Sequence, residues 1–179
     1  GGGGPPGGGF GNFMGGPQPT RWQIALYHSY KLEDQIIIAP GVPTLDLLGG
    51  SATGNFGGSP RHELELSGGI FLKGIGWRLE GNYRGDSFVR GSGLPGGSDL
   101  RFGDRISLNS FLFINLDQRG SLTKKIPLLK GSRIAVRIAN VFNDYVDVRD
   151  ASGAVPLSYQ RGLIDPLGRQ FEVSFRKRF

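Results

Sequence analysis

Few residues in this chain have types and spacings that could do chemistry. It has two histidines, His28 and His62. Imidazole ligates metals and moves protons near neutral pH. Each histidine falls on the apolar parity of its own alternating stretch, so both read as interfacial or lipid-facing side chains rather than metal ligands. Glu63, Glu65, Glu80, Arg78 and Arg84 could supply an acid–base group. Alternation gathers them on one face, where cross-strand charge pairing explains such a set without catalysis. Gly50-Ser51 and Gly91-Ser92-Gly93 have no partnered histidine nearby that would make a nucleophile. The opening GGGGPPGGG lacks the preceding strand and following Lys-Ser/Thr of a phosphate loop. With no cysteine, a disulfide scaffold and a thiolate metal site are both excluded. The chain reads as a non-enzyme without catalytic, cofactor-binding or metal-binding residues.

The elements that carry these side chains alternate in hydrophobicity with a period of two, the mark of strands with one apolar face. Arg21–Leu32 sets Trp22, Ile24, Leu26, His28, Tyr30 and Leu32 against Arg21, Gln23, Ser29 and Lys31. A tight reversal at Glu33-Asp34 leads into Gln35–Ala39, and Pro40–Pro60 is a long loop. Arg61–Leu72 opposes His62, Leu64, Leu66, Ile70 and Leu72 to Arg61, Glu63, Glu65 and Ser67. Lys73-Gly74 is a two-residue hairpin signal. Ile75–Val89, Leu100–Asp117 and Arg133–Val148 continue the pattern, with Phe111 and Phe113 as exceptions on a polar parity. Gly91–Asp99 and Arg149–Gly168 are further long loops, and Gln118–Gly131 is a connection of intermediate length. The final strand, Arg169–Phe179 (RQFEVSFRKRF), puts Phe171, Val173, Phe175 and Phe179 on one side, broken by Lys177.

These segments suit a membrane better than a soluble core. The terminal strand has about the 9–11 residues that a tilted strand needs to cross a bilayer. No apolar run approaches the ~20 residues of a membrane helix. Glycine is 32 of 179 residues and aromatics are 11%, which suits an all-β chain with large loops. The net charge of +6 is dispersed along strands among acidic residues, which indicates a charged lumen wall and a basic rim, with no nucleic-acid partner. The pattern predicts seven strands whose short connections fall on one side and long ones on the other, as in outer-membrane barrels. Trp22, Tyr30, Trp77, Tyr83, Phe102, Phe142, Tyr145 and Phe179 lie near strand ends and read as an interfacial girdle. Residues 1–20 form a Gly/Pro-rich low-complexity tract read as an extracellular loop, and 21–179 the barrel strands. No secretory signal opens the sequence, so it reads as a mature product or a fragment of an exported protein.

Several stretches carry a resemblance: RWQIALYHSYKLEDQIII, PGVPTLDLLGG, SPRHELELSGG, IANVFNDYVDVRD and PLSYQRGLIDPLGRQFEVSFRKRF. Over roughly Arg21 to Phe179 the chain resembles the C-terminal barrel portion of a TonB-dependent outer-membrane receptor of the sphingomonad-like type. The resemblance implies part of a 22-stranded barrel in the outer membrane of a Gram-negative bacterium. It implies import of a scarce nutrient, siderophore-like or another small ligand, powered through TonB, with a plug inside the barrel. Neither plug nor TonB box is present in this sequence. The implied partners are outer-membrane lipid, the rest of the barrel with its plug, TonB through the missing N-terminal part, and the barrel-assembly machinery.

The assembly machinery would read the terminal strand through Phe171, Val173, Phe175 and Phe179 by strand addition. Ligand contacts would come from the long loops, where Asp46, Asn55, Arg90, Asp99, Asp150, Tyr159 and Arg161 are the candidates. The competing readings are an outer-membrane porin or barrel enzyme, and a soluble β-sandwich binding module. Charges on nearly every strand argue against the sandwich, which needs one dry face per sheet.

Overall fold

The computed structural model describes residues 20–52, 57–91, 97–164 and 167–178, so the tract up to residue 19, Asn55 and Phe179 lie outside the described residues. In chain order the strands are β1 (Arg21–Tyr30), β2 (Gln35–Ile36), β3 (Leu45–Asp46), β4 (His62–Leu72), β5 (Ile75–Arg84), β6 (Ser87–Val89), β7 (Leu100–Phe102), β8 (Arg105–Asn115), β9 (Ser132–Ala139), β10 (Val148–Asp150) and β11 (Gln170–Lys177). Two short helices, α1 (Gly120–Lys125) and α2 (Arg161–Ile164), lie in connections. Six strands make one antiparallel sheet in the order β1-β4-β5-β8-β9-β11. The chain is all-β as expected. The sheet is open, with β1 and β11 at its edges.

Of the seven strands expected, six join this sheet among the described residues. Gln35–Ala39 does not join it: Gln35 and Ile36 pair only with Asp46 and Leu45, in a two-residue ladder of their own. Its β-branched residues had suggested a strand, but the run is short and ends at Pro40 before Gly41 turns at φ +83°. β1 instead pairs directly with β4, from Arg21 opposite Phe71 to Tyr30 opposite His62. The Glu33-Asp34 reversal is thus part of one long connection, 31–61. The sorting of connections holds in part, with Glu33-Asp34 moved to the long-connection end. Segments 31–61, 85–104 and 140–169 lie at one end of the sheet, and the Lys73-Gly74 turn and segment 116–131 at the other. Arg21, which follows the glycine tract, stands at the short-turn end.

Three predicted strands bend where they leave the sheet. Ile75–Val89 breaks after Arg84, Leu100–Asp117 breaks at Gly103-Asp104, and Arg133–Val148 breaks after Ala139. The outer pieces of the first two form β6 and β7, and these join β10, which lies mostly in the expected loop Arg149–Gly168, in a second sheet of order β10-β7-β6. Glycines sit at two of the breaks: Gly85 N donates to His62 O at 2.8 Å and Gly103 N to Asp147 O at 2.8 Å. At the third, Asn140 adopts φ +50°, a left-handed conformation that asparagine tolerates. At the opposite end, Lys73 (φ 46°) and Gly74 (φ 85°) make the tight hairpin expected of them.

Little of the sheet is buried. On its charged face Phe71, Gly76, Phe113 and Ala135 stand in one row across β4, β5, β8 and β9. Phe71, Phe113 and Ala135 are the buried cluster, with Phe111 packed against it. The Phe113 ring covers Gly76 so closely that a Cβ there would overlap it. A second buried group, Phe102, Val148 and Pro60, lies among the long connections.

Candidate functional site

Two opposed faces and a cap of interlocked loops are the surfaces on which function can reside. The apolar face runs in register across all six strands. One row is Trp22, Ile70, Trp77, Leu112, Val136 and Val173, and the next is Ile24, Gly68, Leu79, Ser110, Ile138 and Phe171. Nothing among the described residues covers it: Trp22 is 73% exposed, Ile24 67%, Leu26 65%, Phe171 68% and Val173 72%. The hydroxyl of Ser110, in the middle of this face, accepts a hydrogen bond from Trp77 Nε1 at 3.0 Å. A polar group on the apolar side is thus satisfied from within.

The opposite face carries the guanidiniums and carboxylates. Gln23, Gly69, Arg78, Phe111, Arg137 and Glu172 share a row, and Asn115, Arg133 and Arg176 share another. The expected cross-strand charge pairing holds only in part. Arg78 pairs with Glu80 along its own strand, whereas Glu63 meets Lys31 at 3.4 Å. Arg84 turns to the loops and donates to Gly58 O at 2.8 Å. The Arg133 guanidinium lies 3.9 Å from the Phe113 ring centroid. Phe111 and Phe113 interrupt the polar parity because they build this small aromatic floor.

At the long-connection end, the segments tie to one another. Ser59 Oγ donates to Asp34 at 2.5 Å and accepts from Lys31 Nζ at 3.0 Å. The stretch Asn140–Tyr145 is a knot between strands. Asn140 exchanges side-chain hydrogen bonds with the backbone N and O of Asp144, while its own N–H donates to Asn109 Oδ1 at 3.1 Å. Asp144 Oδ2 accepts from Ile106 N at 2.7 Å, and Asn143 Oδ1 accepts from Arg169 N at 3.0 Å. The Asn140–Asp144 part of IANVFNDYVDVRD therefore has a structural task, holding β9 to β8 and steering the chain into β11.

The candidate loop residues are placed as follows. Asp46 Oδ1 accepts from Gly49 N at 2.9 Å and closes its own turn, and Asp99 Oδ1 accepts from Gly91 N at 2.8 Å. Asp150 Oδ1 accepts from the hydroxyl and N–H of Ser152 and from Ala154 N. The Ser152 hydroxyl above all, then these amides, hold its carboxyl below the usual carboxylate range. Arg90 N donates to Gly50 O at 2.8 Å. Tyr159 packs edge-on against Phe102, and the Arg161 guanidinium lies 3.6 Å from the Tyr145 ring centroid. These residues do not converge on one cavity.

Phe171, Val173 and Phe175 share the apolar face of the edge strand β11. Lys177 breaks the parity because its Nζ reaches the carbonyls of Leu128 and Lys130. Of the expected girdle, Trp22 and Trp77 lie near the short-turn end and Tyr30 and Tyr83 toward the other. Phe102 leaves the girdle, being buried under the loops, and Tyr145 packs within them under Arg161.

The two histidines, expected apart, are brought together. His28 Nε2 lies 3.2 Å from His62 Nδ1, with the ring planes 3° from parallel and the rings edge to edge. Only the pairing of β1 with β4, hidden while a strand was expected between them, could have shown this. No group of three or more metal-ligating side chains exists among the described residues, and none of their helices is long and apolar enough to cross a membrane. No family model, curated protein or solved structure matches the chain.

Proposed function

We propose that the six-stranded sheet is a stretch of outer-membrane β-barrel wall, and that the chain is the C-terminal portion of a TonB-dependent receptor importing a scarce small nutrient. The observation that carries this reading is the apolar face, open on every strand, with the charges gathered on the reverse. Hydrocarbon is the environment in which such a face is stable, and a water-filled lumen suits the other. Trp22 and Tyr30 on β1 are eight residues apart. That is about 27 Å of strand, or about 20 Å of depth at barrel tilt, within the ~25 Å apolar band.

In lipid the open edges of β1 and β11 need partners for their backbone groups. Further strands of the same barrel supply them, and the plug faces the charged side. The long connections then lie outside the cell and the short turns in the periplasm. In this orientation Arg21 stands at the periplasmic end of β1. During assembly, the open edge and aromatic face of β11 suit recognition by strand addition.

The chain has only two tryptophans, Trp22 and Trp77, both on the apolar face. Tail-brominated lipid should quench the fluorescence of both in the membrane-inserted protein. Unquenched emission, or extraction into buffer without detergent, would refute the wall. The receptor itself is tested in cells: deleting this segment should abolish uptake of a scarce nutrient, as should loss of TonB. Uptake that survives loss of TonB would leave a passive porin.

A further inference from the structure

We propose that His28 and His62 form a two-histidine site for a borderline divalent cation of the zinc type, at the long-loop end of the β1–β4 ladder. The ring nitrogens stand 3.2 Å apart. Two nitrogens bound to one metal at ~2.0–2.1 Å, at a tetrahedral angle, lie about 3.3 Å apart. The pair is already at ligand spacing, so binding needs side-chain rotation and no movement of strands. In the metal-free pair one ring nitrogen donates to the other. As the metal binds, the donor's proton passes through solvent to its second ring nitrogen, and two neutral imidazoles each give one lone pair.

The backbone beneath is fixed on both sides. Tyr30 pairs with His62 and His28 with Leu64. Lys31 N donates to Arg61 O at 2.9 Å and Gly85 N to His62 O at 2.8 Å. The Tyr30 ring packs on His62 with centroids 4.8 Å apart, which limits where that imidazole can turn. Donors carried on rigid strands are the kind that hold a metal geometry. Both imidazoles are exposed and stand beside Tyr30 at the long-loop end, which the barrel reading puts at the interfacial girdle, where headgroup water completes the coordination. Neutral imidazole favours zinc, nickel and copper, whereas calcium and magnesium take oxygen. With two protein ligands the site is open and binds less tightly than a four-ligand structural zinc site.

These are the only histidines in the chain. Isotope-labelled histidine in the full chain, held in detergent micelles, therefore reports on these two imidazoles alone. Titration with zinc chloride should shift both together and saturate at one equivalent. His28→Gln or His62→Gln should each weaken binding by roughly tenfold or more. Shifts at one histidine only, independent shifts saturating at two equivalents, or none at millimolar zinc would overturn the site. The wild-type titration needs no variant to fold. Absent zinc shifts together with lipid quenching of Trp22 and Trp77 would overturn the site and leave the barrel reading standing.

Discussion

Placing arginine at Ile24 separates lipid from water at the apolar face. Ile24 is 67% exposed and stands in the row of Leu79 and Ile138, between the tryptophan row and the tyrosines. If that face met water, an exposed Ile→Arg change would stay within about 0.5 kcal/mol. Against the middle of a bilayer the same change costs about 2–4 kcal/mol, or about 30- to 700-fold in the folding equilibrium. Leu66→Arg, Leu79→Arg and Ile138→Arg should behave alike. Ser67→Arg, on the charged face opposite Glu80, and Asn109→Arg should be nearly neutral. Denaturant unfolding of the protein in lipid vesicles, followed by tryptophan emission, gives the difference. Equal costs on the two faces, or a cost at Ile24 below half a kilocalorie, would refute the assignment of hydrocarbon to the apolar side.

Three further outcomes follow from contacts within the fold. Gly76→Val should destabilise by about 1–3 kcal/mol, because the Phe113 ring occupies the space of the new side chain; the same measurement reads it, and a neutral result would mean the ring is not held there. Asn140→Ala should cost about 1–3 kcal/mol, leaving the half-buried backbone groups of Asp144 without partners at a left-handed position. Asn140→Gly should recover only the backbone part. The folded Asp150 carboxyl titrates below its usual range, so its support of the Asp150–Ala154 turn is complete above ~pH 4 and fades as pH falls through the depressed folded value. Amide exchange at Ser152 and Ala154 should accelerate on acidification, and Asp150→Asn should remove that pH dependence.

Facing was legible in the sequence because side-chain alternation depends only on the strand period. Every apolar residue assigned to one side of β1, β4 and β5 lies there. Partnership was less legible. Gln35–Ala39 has a strand's composition, but at five residues it is too short to cross the sheet, and composition carries no measure of that. The bends at Gly85 and Gly103 depend on hydrogen bonds to His62 and Asp147 from distant parts of the chain. Phe111 and Phe113 broke the pattern visibly, yet their reason is an aromatic cluster with Phe71, some forty residues upstream. The histidine pair stayed hidden for the same cause, since a false strand stood between its members. Asn140–Asn143 lies in a stretch that carries the resemblance, and the hydrogen bonds of Asn140 and Asn143 give that stretch a structural role of its own.

If the sheet is membrane wall, as proposed, its even number of strands has a practical outcome. Arg21 and Lys177 emerge at the same end of the sheet, so a reporter peptide spliced ahead of β1 and another spliced behind β11 must share a compartment. A protease or membrane-impermeant label added to intact cells would reach both or neither. Three hairpin units of this kind can also be cut out or transplanted as a block without inverting the wall that receives them.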